Sequence, residues 1–205
     1  IARYIKYFFT AKNKHSAQAP FLYEFITKVL NENFDDTNCK KIEQLRKDLC
    51  QSEQTIKITD FGAGSHVNDS KIRKVNDVAK NSAKNSKFGK LLYRITKFYN
   101  PKNILELGTS LGISTLYLAK AKEASKVYTF EGCLETTKIA QQNFDKMSAR
   151  NINITLGDFQ NTLQKKLKEI TTIDLAFIDG NHQKEPTIAY FEECLKYANN
   201  NTIFI

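Results

Sequence analysis

An α/β fold, in which helices cover both faces of a parallel sheet and a helical extension precedes it, is what this 205-residue chain predicts. Three observations carry that expectation. From Pro101 onward, short apolar runs alternate with segments of helical period. The first of those runs, Ile104-Leu105-Glu106-Leu107, ends in a turn with two glycines, Gly108-Thr109-Ser110-Leu111-Gly112, and opens at once into Ser114-Thr115-Leu116-Tyr117. The preceding hundred residues hold few such runs and space their apolar side chains at helical intervals.

Taken in order, the first ten residues are aromatic and apolar but interrupted by Arg3 and Lys6, which reads as an amphipathic helix. Helical spacing then recurs in Phe21, Phe25 and Val29, in Leu45 and Leu49, in Ile72, Val75 and Val78, and in Leu91, Leu92, Ile95 and Phe98. Asn100-Pro101 closes this section, because the residue before a proline is pushed out of helical geometry. The expected organisation is therefore a basic helical cap or lid over 1–100 and a ligand-binding α/β domain over 101–205. The cap is expected to pack on the sheet and lean over its ligand-binding edge.

Asn103–Leu107 reads as the first strand, followed by a helix over Ser114–Lys122. Lys126–Phe130 is the second strand and Leu134–Met147 its amphipathic helix. Asn151–Leu156 is the third strand, with a helix from about Asn161 to Ile170. Ile173–Ile178 is the fourth, Thr187–Ala198 a helix, and Thr202–Ile205 opens a fifth. Single helices between strands imply right-handed crossovers and a parallel sheet. The sequence stops inside that fifth strand, so the apolar sheet edge is expected to be covered by a further C-terminal segment or by a partner chain.

Net charge is +9, and all of the excess lies in the first half: residues 1–100 hold 19 Lys and Arg against 10 Asp and Glu, while 101–205 hold 12 of each. Such asymmetry suits an anionic partner, although a solvated helical face is the plainer reading. No apolar run approaches the length of a membrane span and no secretory signal pattern appears. Cys39, Cys50, Cys133 and Cys194 are scattered without metal-ligand spacing, which suits a reducing, cytoplasmic compartment.

A strand, a tight glycine turn and a helix start in one stretch form the geometry that holds a nucleotide-like ligand at a helix N-terminus. Gly108 and Gly112 allow a backbone approach that a Cβ would block. Glu131 ends the second strand 23 residues after Gly108, where a carboxylate can accept hydrogen bonds from two ribose hydroxyls. Asp158 follows the third strand, as a helix cap, a ligand contact or both. Asp179-Gly180-Asn181-His182 follows a fully apolar strand, and groups at that end of a parallel sheet face the ligand crevice. His182 is suited to general-base work or to a structural role. Asp60-Phe61-Gly62-Ala63-Gly64-Ser65 mimics a glycine loop, but its polar sequel and the lack of a following strand with a terminal acid make it a flexible loop.

The series Glu106-x-Gly108-x-x-x-Gly112-x-Ser114, Glu131, Asp158 and Asp179-Gly180-x-His182 resembles the class I S-adenosylmethionine-dependent methyltransferases, in the ExGxxxGxS and DGxH variant of O-methyltransferases. Ser86–Leu92 looks like the helix leading into the first of those motifs. The resemblance implies a Rossmann-like sheet of strand order 3-2-1-4-5 and S-adenosyl-L-methionine as cofactor. It implies methyl transfer to an oxygen of an acceptor, a small molecule in the first instance. Glu106 would meet the cofactor's ammonium group, and Gly108, Thr109, Ser110 and Gly112 would form the turn beneath it. Ser114 would bind its carboxylate, Glu131 its ribose, and Gly132 and Cys133 would border the adenine. Asp158 would meet the adenine amino group and Phe159 the ring. Asp179 would face the cofactor and orient the acceptor, with His182 as base. Some related enzymes hold a divalent metal at the position of Asp179 with further residues after the fifth strand, so metal use stays open; an imidazole at 182 argues mildly against a hard cation. A homodimer is compatible with the unprotected edge. The alternatives are an NAD(P)-dependent oxidoreductase, which would want G-x-G-x-x-G, and a nucleic-acid-binding protein with a vestigial cofactor site.

Overall fold

The computed structural model describes residues 3, 20–30, 36–59, 72–82 and 85–205, and divides into two compact units between Asp35 and Asp36. The expected helix over residues 1–10 and the Asp60–Ser65 loop lie outside the described residues. In the first unit α1 (Pro20–Glu24) continues as a π-helical turn over Phe25–Leu30. Phe21 and Phe25, one turn apart, stack with ring centroids 6.4 Å apart, and Lys28 pairs with Glu24 at 3.0 Å.

The second unit opens with α2 (Thr37–Leu49), a hairpin of β1 (Thr55–Lys57) and β2 (Ile72–Lys74), then α3 (Val75–Ser82) and α4 (Ser86–Tyr99). The hairpin corrects the helical reading of Ile72: it pairs with Lys57 across antiparallel strands and is 64% exposed. Asn85 caps α4 by accepting the Phe88 N–H, and Asn100 ends it in the left-handed conformation, followed by Pro101. That junction is a helix terminus inside the second unit, not a break between compact units.

From there the alternation is as expected: β3 (Asn103–Leu107), α5 (Ile113–Ala121), β4 (Lys126–Glu131), α6 (Leu134–Lys146), β5 (Ile152–Leu156), α7 (Phe159–Ile170), β6 (Ile173–Ile178), α8 (Lys184–Leu195) and β7 (Ala198–Phe204). The sheet is parallel throughout in the order β5-β4-β3-β6-β7, the predicted 3-2-1-4-5. The last strand starts four residues early. Ile173 pairs with Ala198 but Leu175 with Ile203, so three asparagines bulge out of the ladder, with the Asn199 side chain accepting the Asn201 N–H.

One face of the sheet packs Leu105, Leu107, Phe130 and Ala176 against Phe159, Leu163 and Leu167 of α7 and Tyr190 and Cys194 of α8. On the other, α5 is buried without interruption from Ile113 to Ala119, between the sheet and the helices α2 and α4. Such a helix reads as apolar all round rather than as a stripe. Helix α4 crosses it at Gly89, where an added Cβ would lie 2.2 Å from the Tyr117 ring. The Tyr117 hydroxyl donates to Glu43 of α2 at 2.6 Å.

Candidate active site

Strand alternation decides where the acid near the tip of β3 points. Leu105 and Leu107 face α7 and α8, so Ile104 and Glu106 face α5. Glu106 is 0% exposed. Its Oε2 accepts from the hydroxyls of Thr115 at 2.5 Å and of Thr129 at 2.7 Å, while Oε1 has no hydrogen-bond partner. Thr129 is its direct neighbour in register on β4. Burial pushes the carboxyl up to about 7; the hydroxyls of Thr115, Ser114 and Thr129 pull the other way, and the Asp179 charge adds to the rise. Period-two alternation turns the side chain beneath α5, and Oε1 is its one oxygen left without a donor.

The turn that follows holds three left-handed residues, Gly108 (φ 102), Ser110 (φ 48) and Gly112 (φ 82). A Cβ on Gly108 would lie 2.6 Å from the Asp179 carbonyl oxygen, so the turns after β3 and β6 meet backbone to backbone. The N–H groups of Gly108 and Thr109 both donate to the Phe130 carbonyl, at 3.1 and 3.0 Å, and the Gly112 N–H donates to the Thr109 carbonyl at 2.8 Å. Ser110 donates its N–H to Glu131 Oε2 at 2.7 Å, and Cys133 donates to Glu131 Oε1 at 2.9 Å. Glu131 thus joins the turns after β3 and β4 through main-chain donors. Burial raises its pKa while those N–H groups oppose the rise. Gly112 starts α5, whose first-turn N–H groups have no intrahelical acceptor and sit beside the Ser114 hydroxyl.

Cys133 is buried, accepting the Thr59 N–H at 3.4 Å and donating to the Lys57 carbonyl at 3.5 Å, which holds the end of β1 against the turn after β4. Asp158 caps α7, accepting the Gln160 N–H at 3.0 Å. Because α7 begins at Phe159 rather than two residues later, that ring enters the core. It sits edge-on to Phe130 and Tyr190 at 6.3 and 5.7 Å and under Gly180.

Asp179 is half-buried and its N–H donates to the Leu107 carbonyl at 2.9 Å. Asn181, left-handed at φ 47, donates Nδ2 to the Tyr190 hydroxyl at 3.1 Å and leaves Oδ1 buried without a partner. His182 is exposed. Among the described residues no group of three or more His, Cys, Asp and Glu is placed to hold a metal ion. The threonines around Glu106 and the Asn181–Tyr190 bond escaped the sequence reading. Only strand parity joined to sheet register, or a left-handed Asn after a glycine, could have signalled them.

Residues 105–205 match the methyltransferase-domain family model. The chain is 30% identical over 120 residues to a catechol O-methyltransferase of Niastella koreensis, an overlap of 57% of this chain and 53% of that one. It is 34% identical over 110 residues to catechol O-methyltransferase domain-containing protein 1 of Mus musculus, covering 52% and 41% respectively. The chain thus spans about half the length of the curated relatives it matches. In fold it is similar to a Podospora anserina methyltransferase solved with S-adenosylhomocysteine (TM-score 0.61, 17% identity, 94% of this chain and 69% of that one). It is likewise similar to the Streptomyces achromogenes O-methyltransferase TomG solved with S-adenosylmethionine (TM-score 0.58, 19% identity, 89% and 68%).

Proposed function

We propose, from the premise that this chain is a class I S-adenosylmethionine-dependent, O-methyltransferase-like protein, that it transfers a methyl group from S-adenosylmethionine to an oxygen of a small-molecule acceptor. One observation carries the proposal: Glu131, at the tip of β4, is clamped by the N–H groups of Ser110 and Cys133, which aligns a carboxylate beside the glycine turn for a ribose diol. The donor set suits the rest of the cofactor. The main-chain N–H groups in the first turn of α5, that of Ser114 included, offer donors for its carboxylate. Gly132 and Cys133 border the adenine, and Asp158 meets the adenine amino group while capping α7. When bound, S-adenosylmethionine supplies a methyl group on a positively charged sulfur that an oxygen nucleophile can displace.

The chain's own residues do the positioning. Asp179, whose main chain meets Gly108, orients the acceptor at the meeting point of two turns. The exposed imidazole of His182 takes the acceptor hydroxyl proton. Catechol-type acceptors are the first to test, because relatives carry that name. The lysine excess of the first half supports an anionic acceptor, and exposed Ile188 and Leu195 on α8, next to the edge strand, support a homodimer. Four free thiols support a cytoplasmic location; among the described residues, no helix is long and apolar enough to cross a membrane. Neither the oxidoreductase nor the nucleic-acid alternative gains support from the family match.

Thermal-shift titration tests the cofactor, and transfer of labelled methyl to a catechol panel tests the reaction. S-adenosylmethionine and S-adenosylhomocysteine are expected to stabilise the protein and NAD to leave it unchanged. Stabilisation by NAD alone overturns the proposal. Glu131→Ala is expected to weaken S-adenosylhomocysteine binding about a hundredfold, the cost of losing hydrogen bonds to a charged group.

A further inference from the structure

The second glycine of the turn after β3 lies flush against α6. A Cβ on Gly112 would stand 2.5 Å from the Phe144 ring and 3.3 Å from the Ala140 Cβ. Ala140, Asn143 and Phe144 are spaced i, i+3 and i+4, so all three share the helix face that meets the turn. Asn143 is buried, and an amide is costly to enclose unless it bonds. Its Nδ2 donates to the Leu111 carbonyl at 2.9 Å. The peptide unit between Leu111 and Gly112 is thus held at both ends, its carbonyl by Asn143 and its N–H by the Thr109 carbonyl at 2.8 Å.

An uninterrupted helix would give the Leu111 carbonyl to the N–H of Thr115, four residues on. With that carbonyl turned to α6, helical pairing begins only at Leu116, whose N–H donates to the Gly112 carbonyl at 3.0 Å. The N–H groups of Ile113, Ser114 and Thr115 reach no main-chain acceptor among the described residues. Such open donors at a helix N-terminus are what an anionic group uses.

We propose that Asn143 is a positioning residue for the cofactor: by drawing the Leu111 carbonyl onto α6 it keeps the N–H groups of residues 113–115 open, so affinity for the cofactor's amino-acid end depends on a side chain outside the glycine turn. The affinity part of this inference rests on the cofactor reading above; the holding of the peptide unit does not.

Titration calorimetry of the full chain with S-adenosylhomocysteine and with 5′-methylthioadenosine, which lacks the amino-acid end, tests the inference beside amide hydrogen exchange of the ligand-free protein. Asn143→Leu roughly keeps the volume and removes the donor. It is expected to weaken S-adenosylhomocysteine about tenfold, the loss of one buried hydrogen bond. Binding of 5′-methylthioadenosine is expected to stay within about twofold of the parent, because the nucleoside contacts lie elsewhere. Exchange at the Gly112 amide is expected to speed up as its peptide unit loosens. Equal losses for the two ligands would mark a packing defect and overturn the inference, as would unchanged S-adenosylhomocysteine affinity or parental exchange at Gly112. Should Asn143→Leu not fold, Asn143→Ala, which brings no bulk, decides on the same readings. If the parent protein binds neither ligand, the cofactor reading falls, and exchange at Gly112 alone decides whether Asn143 holds the turn.

Discussion

The turn after β3 and the loop after β6 touch at Gly108 and Asp179, but they are held in opposite ways. In the first, the N–H groups of Gly108, Thr109, Ser110 and Gly112 all reach acceptors, and glycine occupies two of the three left-handed positions. In the second, a non-glycine residue takes the left-handed position, a buried amide oxygen goes without a donor, and the imidazole stands in solvent. Backbone strain and unsatisfied polar atoms gather where chemistry is done and are held there by surrounding structure. The β3 side is a preformed cradle. The β6 side carries Asp179 and His182, the groups proposed to act on the acceptor.

That contrast is sharpest for the imidazole. His182→Ala is expected to lower methyl transfer about a hundredfold to a thousandfold, the range of general-base loss, with S-adenosylhomocysteine affinity within about twofold by calorimetry. An equal loss of affinity would erase the distinction between the two sides. Gly108→Ala tests the cradle from the opposite direction. With φ at 102 and the Asp179 carbonyl 2.6 Å from the new Cβ, it is expected to cost about 3 kcal/mol. Differential scanning fluorimetry should show the melting temperature falling by about 6–12 °C.

Glu106 makes the cradle's stability respond to pH. Its carboxyl titrates near 7 in the folded protein against 4.5 ordinarily, so the folded state binds the extra proton. Its contribution is complete below about 4.5 and is lost as pH rises through about 7. The loss is on the order of 3 kcal/mol, and Glu131, also raised, adds in the same direction. Urea denaturation at pH 5 and pH 8 is expected to show the protein less stable at pH 8, by a smaller margin in Glu106→Gln. The smallest effect belongs to the β6 loop. Asn181→Ala is expected to be about 1 kcal/mol less stable than Asn181→Gly, because only glycine adopts the left-handed conformation freely.

Much of this was legible in the residues. Parallel strands, their order and the placing of Glu131 and Asp179 at strand tips follow from apolar runs, glycine spacing and the family resemblance, and the coordinates agree. The direction in which Glu106 and Phe159 point is not legible for a common reason: each lies one position from a loop, and parity relative to the pleat or the helix start decides which way such a residue faces. The Thr129–Glu106 bond is out of reach of the sequence because it needs the exact pairing of Glu106 with Thr129, which no single-strand pattern contains. Ile72 was read as helical because three apolar residues at helical spacing cross a strand-to-helix boundary at Val75.

The crossing of Gly89 over the Tyr117 ring limits how this protein can be dismantled. Helix α5 is shielded on one flank by the sheet and on the other by α2 and α4, and Glu43 is the acceptor for the Tyr117 hydroxyl. A fragment trimmed to residues 101–205 would retain every strand of the parallel sheet while baring that flank to water and stranding the phenol. It is expected to precipitate on expression, where residues 36–205 stay in solution. The nucleotide-cradle half is no portable cassette: its apolar roof is built from the sequence that comes before it.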